Sequence, residues 1–391
     1  MYSIASELNC LLSAISTTLP PASDIRSRAT VRALRRLYVL RAGVRQVPTG
    51  GYTGASEGVA ITMKVTVLGA GSWGTTVASL SAASHSTLLW ARNASLANEI
   101  TDGHTNGAYL PGVTLPRRLR STSDLEEAVT SADVLVVGVP SGGFRSTLLA
   151  ALDWVRPWVP VVSLAKGLEA GSMLRMTQII EELLPGHPAA VLSGPNLAPE
   201  IMAGKAAAAV LATDDPGVAA ALQSVLRHRL FRVYRNHDVI GCEVGGALKN
   251  VVAIAAGIGE GLGVGDNTRS AVMTRGLAEI TRLAVAMGAQ PQTLAGLAGM
   301  GDLVATCMSP LSRNRTVGEK LGQGIPLETI LSEMNMVAEG VNTARVALDL
   351  AERYSVELPI CQEIHNVITG RQRPADAYRG LREPGHESEP G

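Results

Sequence analysis

The stretch "VLGAGSWGT" (67–75) constrains this chain more than any other. It sets Gly69, Gly71 and Gly74 at G-x-G-x-x-G spacing, directly after the short apolar run "KVTVLG" (64–69) and at the opening of a helix-length segment. The spacing alone is weak, but a strand before it and a helix after it are the context a dinucleotide-binding loop requires. Gly69 permits the tight turn, Gly71 lets the backbone approach a pyrophosphate, and Gly74 lets the helix pack close to the strand. The helix N-terminus then offers free N–H groups and partial positive charge to phosphates. The competing reading is a tight strand–helix turn in a glycine-rich chain.

The same grammar repeats along the next 160 or so residues. Apolar runs at "TLLWAR" (87–92), "ADVLVVGVP" (132–140), "VPVVSLAK" (159–166), "AAVLSG" (189–194), "AAAAVLAT" (206–213) and "FRVYR" (231–235) read as strands. Helix-length segments at 74–84, 144–155, 172–184 and 216–227 lie between them. Such alternation predicts βαβ units and a doubly wound, mostly parallel α/β sheet of Rossmann type. From residue 239 to about 371 the spacing becomes helical throughout, as in "ALKNVVAIAAGI" and "TRGLAEITRLAVAMG". The expected division is a leader at 1–62, a dinucleotide-binding domain at 63–238, an all-helical domain at 239–373 and a disordered tail at 374–391. A cleft between the two domains is where cofactor and substrate are expected to meet.

Formal charge is balanced, 34 basic against 34 acidic residues, so the whole molecule gives no electrostatic reason to expect nucleic acid or an anionic membrane as partner. No uninterrupted apolar run reaches 18 residues, so stable membrane insertion is not expected. Cys10, Cys242, Cys307 and Cys361 lie far apart without metal-ligand spacing, which reads as reduced thiols of a cytoplasmic protein and no bound metal. The leader is a different text, with seven arginines and no acid in "RSRATVRALRRLYVLRAGVR" (26–45) and then a flexible-looking "PTGGYTGASEG" (48–58). It resembles a transit peptide or a basic surface helix; the plainer readings are an unstructured leader, or sequence upstream of a start at Met63.

Three polar features have a chemical reading beside a bland one. Arg92 ends the second strand, where an acid would bind the adenosine ribose and repel a 2′-phosphate. An arginine suits the 2′-phosphate of NADP, so the reading leans to NADPH with NADH open; an exposed arginine after a strand is the alternative. "SPLSRNRTVGEKLGQG" (309–324) reads as a helix with Ser309 as N-cap and Pro310 in first position. It puts Arg313 and Arg315 near the positive end of the dipole, which an anion gripped by Arg313, Ser312 and Asn314 would neutralise. Solvent-facing arginines are the alternative.

The third is Lys249, inside the small-residue run "GGALKNVVAIAAG" (245–257). The chain has only five lysines, so the choice of lysine over arginine asks for a reason. A desolvated lysine has its pKa pulled down and can exchange a proton near neutral pH, which arginine cannot. Asp302, if near, would hold it and favour its charge, and Lys166 sits at the carboxyl end of a strand, facing the ligand crevice. A snorkelling lysine, a turn aspartate and a loop lysine are the respective alternatives.

In order along 64–371, "VLGAGSWGT", "LAKGLE", "LSGPN-A-E", "GGALKNVVAIAAG", "TRGLAEITRL", "GMGDLVATC", "SRNR-VG" and "VAEGVNT" resemble the bacterial-type NAD(P)-dependent glycerol-3-phosphate dehydrogenase family. The resemblance implies reversible reduction of dihydroxyacetone phosphate to sn-glycerol 3-phosphate, feeding glycerophospholipid synthesis. It implies proton transfer by Lys249 and substrate contacts at Lys166, Gly194, Asn196, Lys249, Asp302, Ser312, Arg313 and Asn314. Cofactor contacts would fall on Gly69, Gly71, Ser72, Trp73, Gly74, Arg92, Lys166, Ala198, Arg313, Val337 and Glu339, and a homodimer is allowed. Asn196 departs from the Ser or Thr usual there, which implies a retuned contact. Two rivals remain: a reductase of a 2-keto or β-hydroxy acid on the same two-domain plan, and a non-catalytic NADP sensor.

Overall fold

A computed structural model describes residues 62–334 and 337–379. The arginine-rich leader, Cys10 and the tail beyond residue 379 lie outside the described residues. Eight strands form one sheet: β1 (Lys64–Leu68), β2 (Ser86–Trp90), β3 (Arg120–Thr122), β4 (Val134–Val137), β5 (Val161–Ser163), β6 (Ala189–Ser193), β7 (Ala207–Ala212) and β8 (Phe231–Asn236). Their order is β3-β2-β1-β4-β5-β6-β7-β8, parallel except where β6 meets β7. Seven helices accompany them: α1 (Ser72–Ala82), α2 (Ala94–Asn98), α3 (Leu125–Thr130), α4 (Ser141–Ala151), α5 (Met176–Leu183), α6 (Ala198–Met202) and α7 (Pro216–Leu226). The direction of travel across the sheet reverses between β1 and β4, where Leu68 stands beside both Trp90 and Val137. A ligand crevice opens at the carboxyl ends of strands at such a switch.

Alternate side chains of β1 feed two cores. Val65 and Val67 join one with Leu89, Val134 and Val136; Leu68 joins the other with Leu135, Val137 and Phe144. A strand buried on both faces has no polar alternation to show, which is why these runs read as continuous apolar text. The exception is β3, "RST", too short and polar to be recognised from the sequence.

Past Asn236 the described residues are helical: α8 (Val239–Gly261), α9 (Asp266–Ala286), α10 (Pro291–Leu294), α11 (Asp302–Met308), α12 (Arg313–Gly322), α13 (Leu327–Ser332), α14 (Glu339–Tyr354), α15 (Pro359–Ile368) and α16 (Pro374–Arg379). α8 is the axis. Asp238 caps it by accepting from Gly241 N at 2.8 Å, and every residue from Gly241 to Gly259 is buried. Its length and mean hydropathy of 1.5 would suit a membrane span, yet 89% of its apolar window is covered by the protein itself. No unbroken apolar run marks it in the sequence, because Glu243 and Lys249 interrupt it. Glu243 accepts from Arg175 Nη1 at 2.5 Å and from Thr177 N at 2.9 Å, joining α8 to the start of α5.

Small residues let α12 press onto α8. A Cβ on Gly257 would stand 2.1 Å from the Arg315 carbonyl oxygen, and one on Gly318 would stand 2.0 Å from that of Ile254. The two helices therefore meet backbone to backbone, closer than side chains permit.

Two expectations about boundaries are corrected. The helix expected from Pro310, with Ser309 as N-cap, starts at Arg313, with Ser312 as N-cap accepting from Arg315 N at 3.3 Å. Ser309 instead ends α11, and Pro310 cannot continue it. Residues 374–379, assigned to a disordered tail, form α16, because Tyr378 is buried and its hydroxyl donates to the Ala255 carbonyl at 2.6 Å.

Candidate active site

The glycine loop has the shape its spacing requires. Gly69 has φ +111°, and a Cβ there would lie 2.9 Å from Gly138 C and Val139 N. A Cβ on Gly74 would meet the Gly69 carbonyl oxygen at 2.0 Å, so strand and helix touch. Gly71, by contrast, has open space around it, and no side chain caps α1, whose first residues are Ser72 and Trp73. An uncapped helix N-terminus beneath an open glycine is a fit for a pyrophosphate. Trp73 stacks edge-on against Phe231 at 5.9 Å and leaves its indole Nε1 buried without a partner. Arg92 is exposed just beyond β2, and Ala198 is buried as the first residue of α6.

At the strand ends a polar cluster converges on Asp302, which is 2% exposed. Its Oδ2 lies 2.6 Å from Lys166 Nζ and its Oδ1 lies 3.0 Å from Lys249 Nζ. Lys249 also donates to Thr306 Oγ1 at 2.6 Å, and Lys166 donates to the Gly194 carbonyl at 2.7 Å. Gly194 has φ +116°, and a Cβ there would lie 3.2 Å from Ala209 Cα, so only glycine turns that carbonyl towards Lys166 without strain. Burial pulls the Lys166 ammonium down to about 8, with Asp302 opposing the fall and Lys249 adding to it. Two cations against one carboxylate leave an excess positive charge in a buried place, the electrostatics of an anion site.

A line of amides crosses the helical half. Asn250 Nδ2 donates to the Lys166 carbonyl at 2.9 Å, and Asn250 Oδ1 accepts from Asn314 Nδ2 at 2.9 Å. Asn314 Oδ1 in turn accepts from Gly340 N at 3.0 Å. Since Asn250 follows Lys249 and Asn314 follows Arg313, this line brings the start of α12 beside the lysine cluster. Arg313 Nη1 donates to the Val337 carbonyl at 2.7 Å, and Glu339 holds Ser141. Arg315 is different: its guanidinium is 3.3 Å from Glu319 and 3.8 Å from Glu260 and donates to the Ser309 carbonyl. The expectation that this helix start needs an outside anion does not hold for Arg315, which the protein neutralises itself.

Asn196 stands in the turn after Gly194, with both amide atoms buried and without hydrogen-bond partners. Orphaned buried amides are costly, and a polar ligand in the crevice would satisfy this one. Sequence reading passes over Thr306 and Ser141. Thr306 lies four residues after Asp302 on a helix, a spacing that puts both on one face and is legible. Ser141 carries no such signal, since its partner is 198 residues away.

Comparison with known proteins shows the family to which both halves of the chain belong. Residues 64–219 match the NAD-dependent glycerol-3-phosphate dehydrogenase N-terminus and residues 238–379 match the C-terminus of the same family. The chain is 56% identical over 331 residues to a glycerol-3-phosphate dehydrogenase (NAD(P)+) 2 of Sphingopyxis alaskensis, covering 84% of this chain and 99% of that one. It is 53% identical to a glycerol-3-phosphate dehydrogenase (NAD(P)+) of Mycobacterium avium, covering 83% and 96%. A crystal structure of glycerol-3-phosphate dehydrogenase from Coxiella burnetii superposes with a TM-score of 0.79 at 33% identity, covering 82% and 99%. With both halves matched in order, the chain belongs to the NAD-dependent glycerol-3-phosphate dehydrogenase family.

Proposed function

We infer that the chain catalyses reversible reduction of dihydroxyacetone phosphate to sn-glycerol 3-phosphate with NADH or NADPH, supplying glycerophospholipid synthesis. The observation that carries this reading is the buried Lys166–Asp302–Lys249 cluster at the strand ends, joined through Asn250 and Asn314 to Arg313. The nicotinamide supplies the hydride when bound. The residues suited to hold the cofactor are Gly69, Gly71, Ser72, Trp73 and Gly74, with Arg92, Lys166, Ala198, Arg313, Val337 and Glu339 along the crevice.

In this reading Lys249 gives its proton to the ketone oxygen as that oxygen becomes an alkoxide, and takes one from the alcohol in the reverse direction. Thr306 and Asp302 fix the direction of its ammonium. Arg313 grips the substrate phosphate, which the excess charge beside Asp302 favours. Gly194, Asn196, Ser312 and Asn314 complete the substrate pocket, with the Ser312 hydroxyl proton free while its oxygen caps α12. Buried walls exclude water and strengthen each of these interactions.

Arg92 favours NADPH, as a cation placed for a 2′-phosphate. Balanced net charge argues against nucleic acid, the coverage of α8 argues against stable membrane insertion, and free, buried Cys242, Cys307 and Cys361 suit a reducing cytoplasm. A homodimer fits this reading and stands with it as a proposal. The test is steady-state oxidation of NADPH and of NADH with dihydroxyacetone phosphate and with a panel of 2-keto acids. Turnover of the phosphate ester alone supports the reading, and turnover of the keto acids alone overturns it. Arg92→Ser lowers the NADPH-to-NADH ratio of kcat/KM by about tenfold if Arg92 reads the 2′-phosphate.

A further inference from the structure

The amide line that starts at the Lys166 carbonyl does not end at Gly340. The neighbouring residue, Glu339, opens α14 and sends its carboxylate to the start of α4. Its Oε1 accepts from Ser141 N at 2.9 Å and its Oε2 accepts from Ser141 Oγ at 2.5 Å. Ser141 is 4% exposed and is the first residue of α4, so the carboxylate also meets the positive end of that helix. Gly167 closes the ring: a Cβ there would stand 2.5 Å from Ser141 Oγ and 2.7 Å from Glu339 Oε2. A polar belt therefore runs from Lys166 through Asn250, Asn314, Gly340, Glu339 and Ser141 back to Gly167, the residue after Lys166.

The belt has one branch. Val337, two residues before Glu339, gives its carbonyl to Arg313 Nη1 at 2.7 Å. Arg313 is thus held by the backbone of a segment whose far end is fixed by Ser141. The α4 side of the belt contributes this one residue, whose backbone N–H and hydroxyl both donate to Glu339.

We propose that Ser141 is a positioning residue for Arg313: by clamping Glu339 it fixes the Val337 carbonyl, and so sets the guanidinium where it grips the substrate phosphate. The proposal rests on the dehydrogenase reading of this site. Ser141 acts here through Glu339, to which it donates both its N–H and its hydroxyl. Losing its hydroxyl leaves the backbone N–H bond to Glu339 in place and frees only Oε2, so the segment loosens without losing its partner.

The experiment compares kcat/KM for dihydroxyacetone phosphate with kcat/KM for phosphate-free dihydroxyacetone, in wild type, Ser141→Ala and Ser141→Thr. Of the two substrates only the ester carries the phosphate that Arg313 grips, and any change in cofactor contact cancels in the ratio, so in Ser141→Ala the ratio falls about tenfold, the worth of one charge-assisted hydrogen bond. The fall appears in KM rather than kcat, and Ser141→Thr, which keeps the hydroxyl, restores the ratio to within about threefold. A merely structural role would lower both substrates alike; that result, or an unchanged ratio, overturns the proposal. If Ser141→Ala does not fold, Ser141→Cys, whose thiol is a much weaker donor, carries the same test with the same two readings. A wild type that reduces no dihydroxyacetone phosphate overturns the dehydrogenase reading itself. An active wild type with an unchanged ratio in the variants overturns this proposal alone.

Discussion

Lys166 and Lys249 divide one carboxylate between them, the first holding Asp302 Oδ2 at 2.6 Å and the second Oδ1 at 3.0 Å. One lies three residues past the end of β5 and the other in the middle of α8, so the ion triad spans the α/β and helical parts. It leaves surplus positive charge, and an anionic substrate is the natural complement. Loss of Asp302 would leave two cations in a buried place, which is why Asp302→Asn is expected to harm folding as well as turnover.

The Lys166 ammonium, pulled to about 8 by burial, gives a pH signature. In the free enzyme kcat/KM for dihydroxyacetone phosphate falls as pH rises through about 8, because deprotonation removes a cation from the anion site. Stability moves the other way. The unfolded lysine keeps its proton to higher pH than the folded one, so from about 8 upward to the ordinary lysine range stability rises with pH. Rate profiles of wild type and Lys166→Arg check this: the arginine variant lacks the limb near 8, although its kcat/KM is lower throughout. A limb of the same position in both would show that another group titrates.

Asn196 makes stability and function pull apart. Both of its amide atoms are buried without partners, a burden of about 1–3 kcal/mol in the free protein. Asn196→Ala is therefore expected to melt no lower than wild type, while the gain in melting temperature on adding dihydroxyacetone phosphate shrinks. Thermal melts with and without substrate decide it. A free variant destabilised by more than about 1 kcal/mol, with its substrate shift intact, would mean that the amide serves the fold.

The contact of α8 with α12 tolerates no added carbon. Gly318→Ala sets a methyl against the Ile254 carbonyl, where the Cβ would be 2.0 Å away, and backbone cannot rotate aside as a side chain does. The expected loss is about 3 kcal/mol or more in urea unfolding. Activity falls with it, because the same contact sets Asn314 on Asn250, the residue after Lys249. A shift below about 0.5 kcal/mol would show that the helices have room to part.

Much of the fold and the site is legible in the sequence because it rests on local rules. The G-x-G-x-x-G loop declares itself by glycines between a strand and a helix, and Gly69 and Gly74 are compelled by contacts of the kind those rules foresee. The alternation of apolar runs points to the doubly wound sheet, since strands buried on both faces are mostly apolar, as in the VLVV of β4. β3 escapes such reading because a three-residue polar edge strand has no apolar signal. The start of α12 lies three residues beyond its expected place because Ser309 and Ser312 both precede plausible first turns, and only the end of α11 at Met308 decides between them. Arg315 reads as charge that an outside anion must neutralise because Glu260 lies 55 positions earlier in the chain, although Glu319, four residues on, is a legible partner. The Ser141–Glu339 clamp joins two helix starts from different parts of the chain, and no local pattern announces such a pair.

Proton transfer by Lys249 is tested most directly by a single-turnover measurement on Lys249→Ala, mixing enzyme and bound NADPH with saturating dihydroxyacetone phosphate and following loss of NADPH absorbance. The predicted result is a hydride-transfer rate lowered by about a thousandfold or more, with NADPH binding by fluorescence titration within about threefold of wild type. A variant that transfers hydride at the wild-type rate would contradict it.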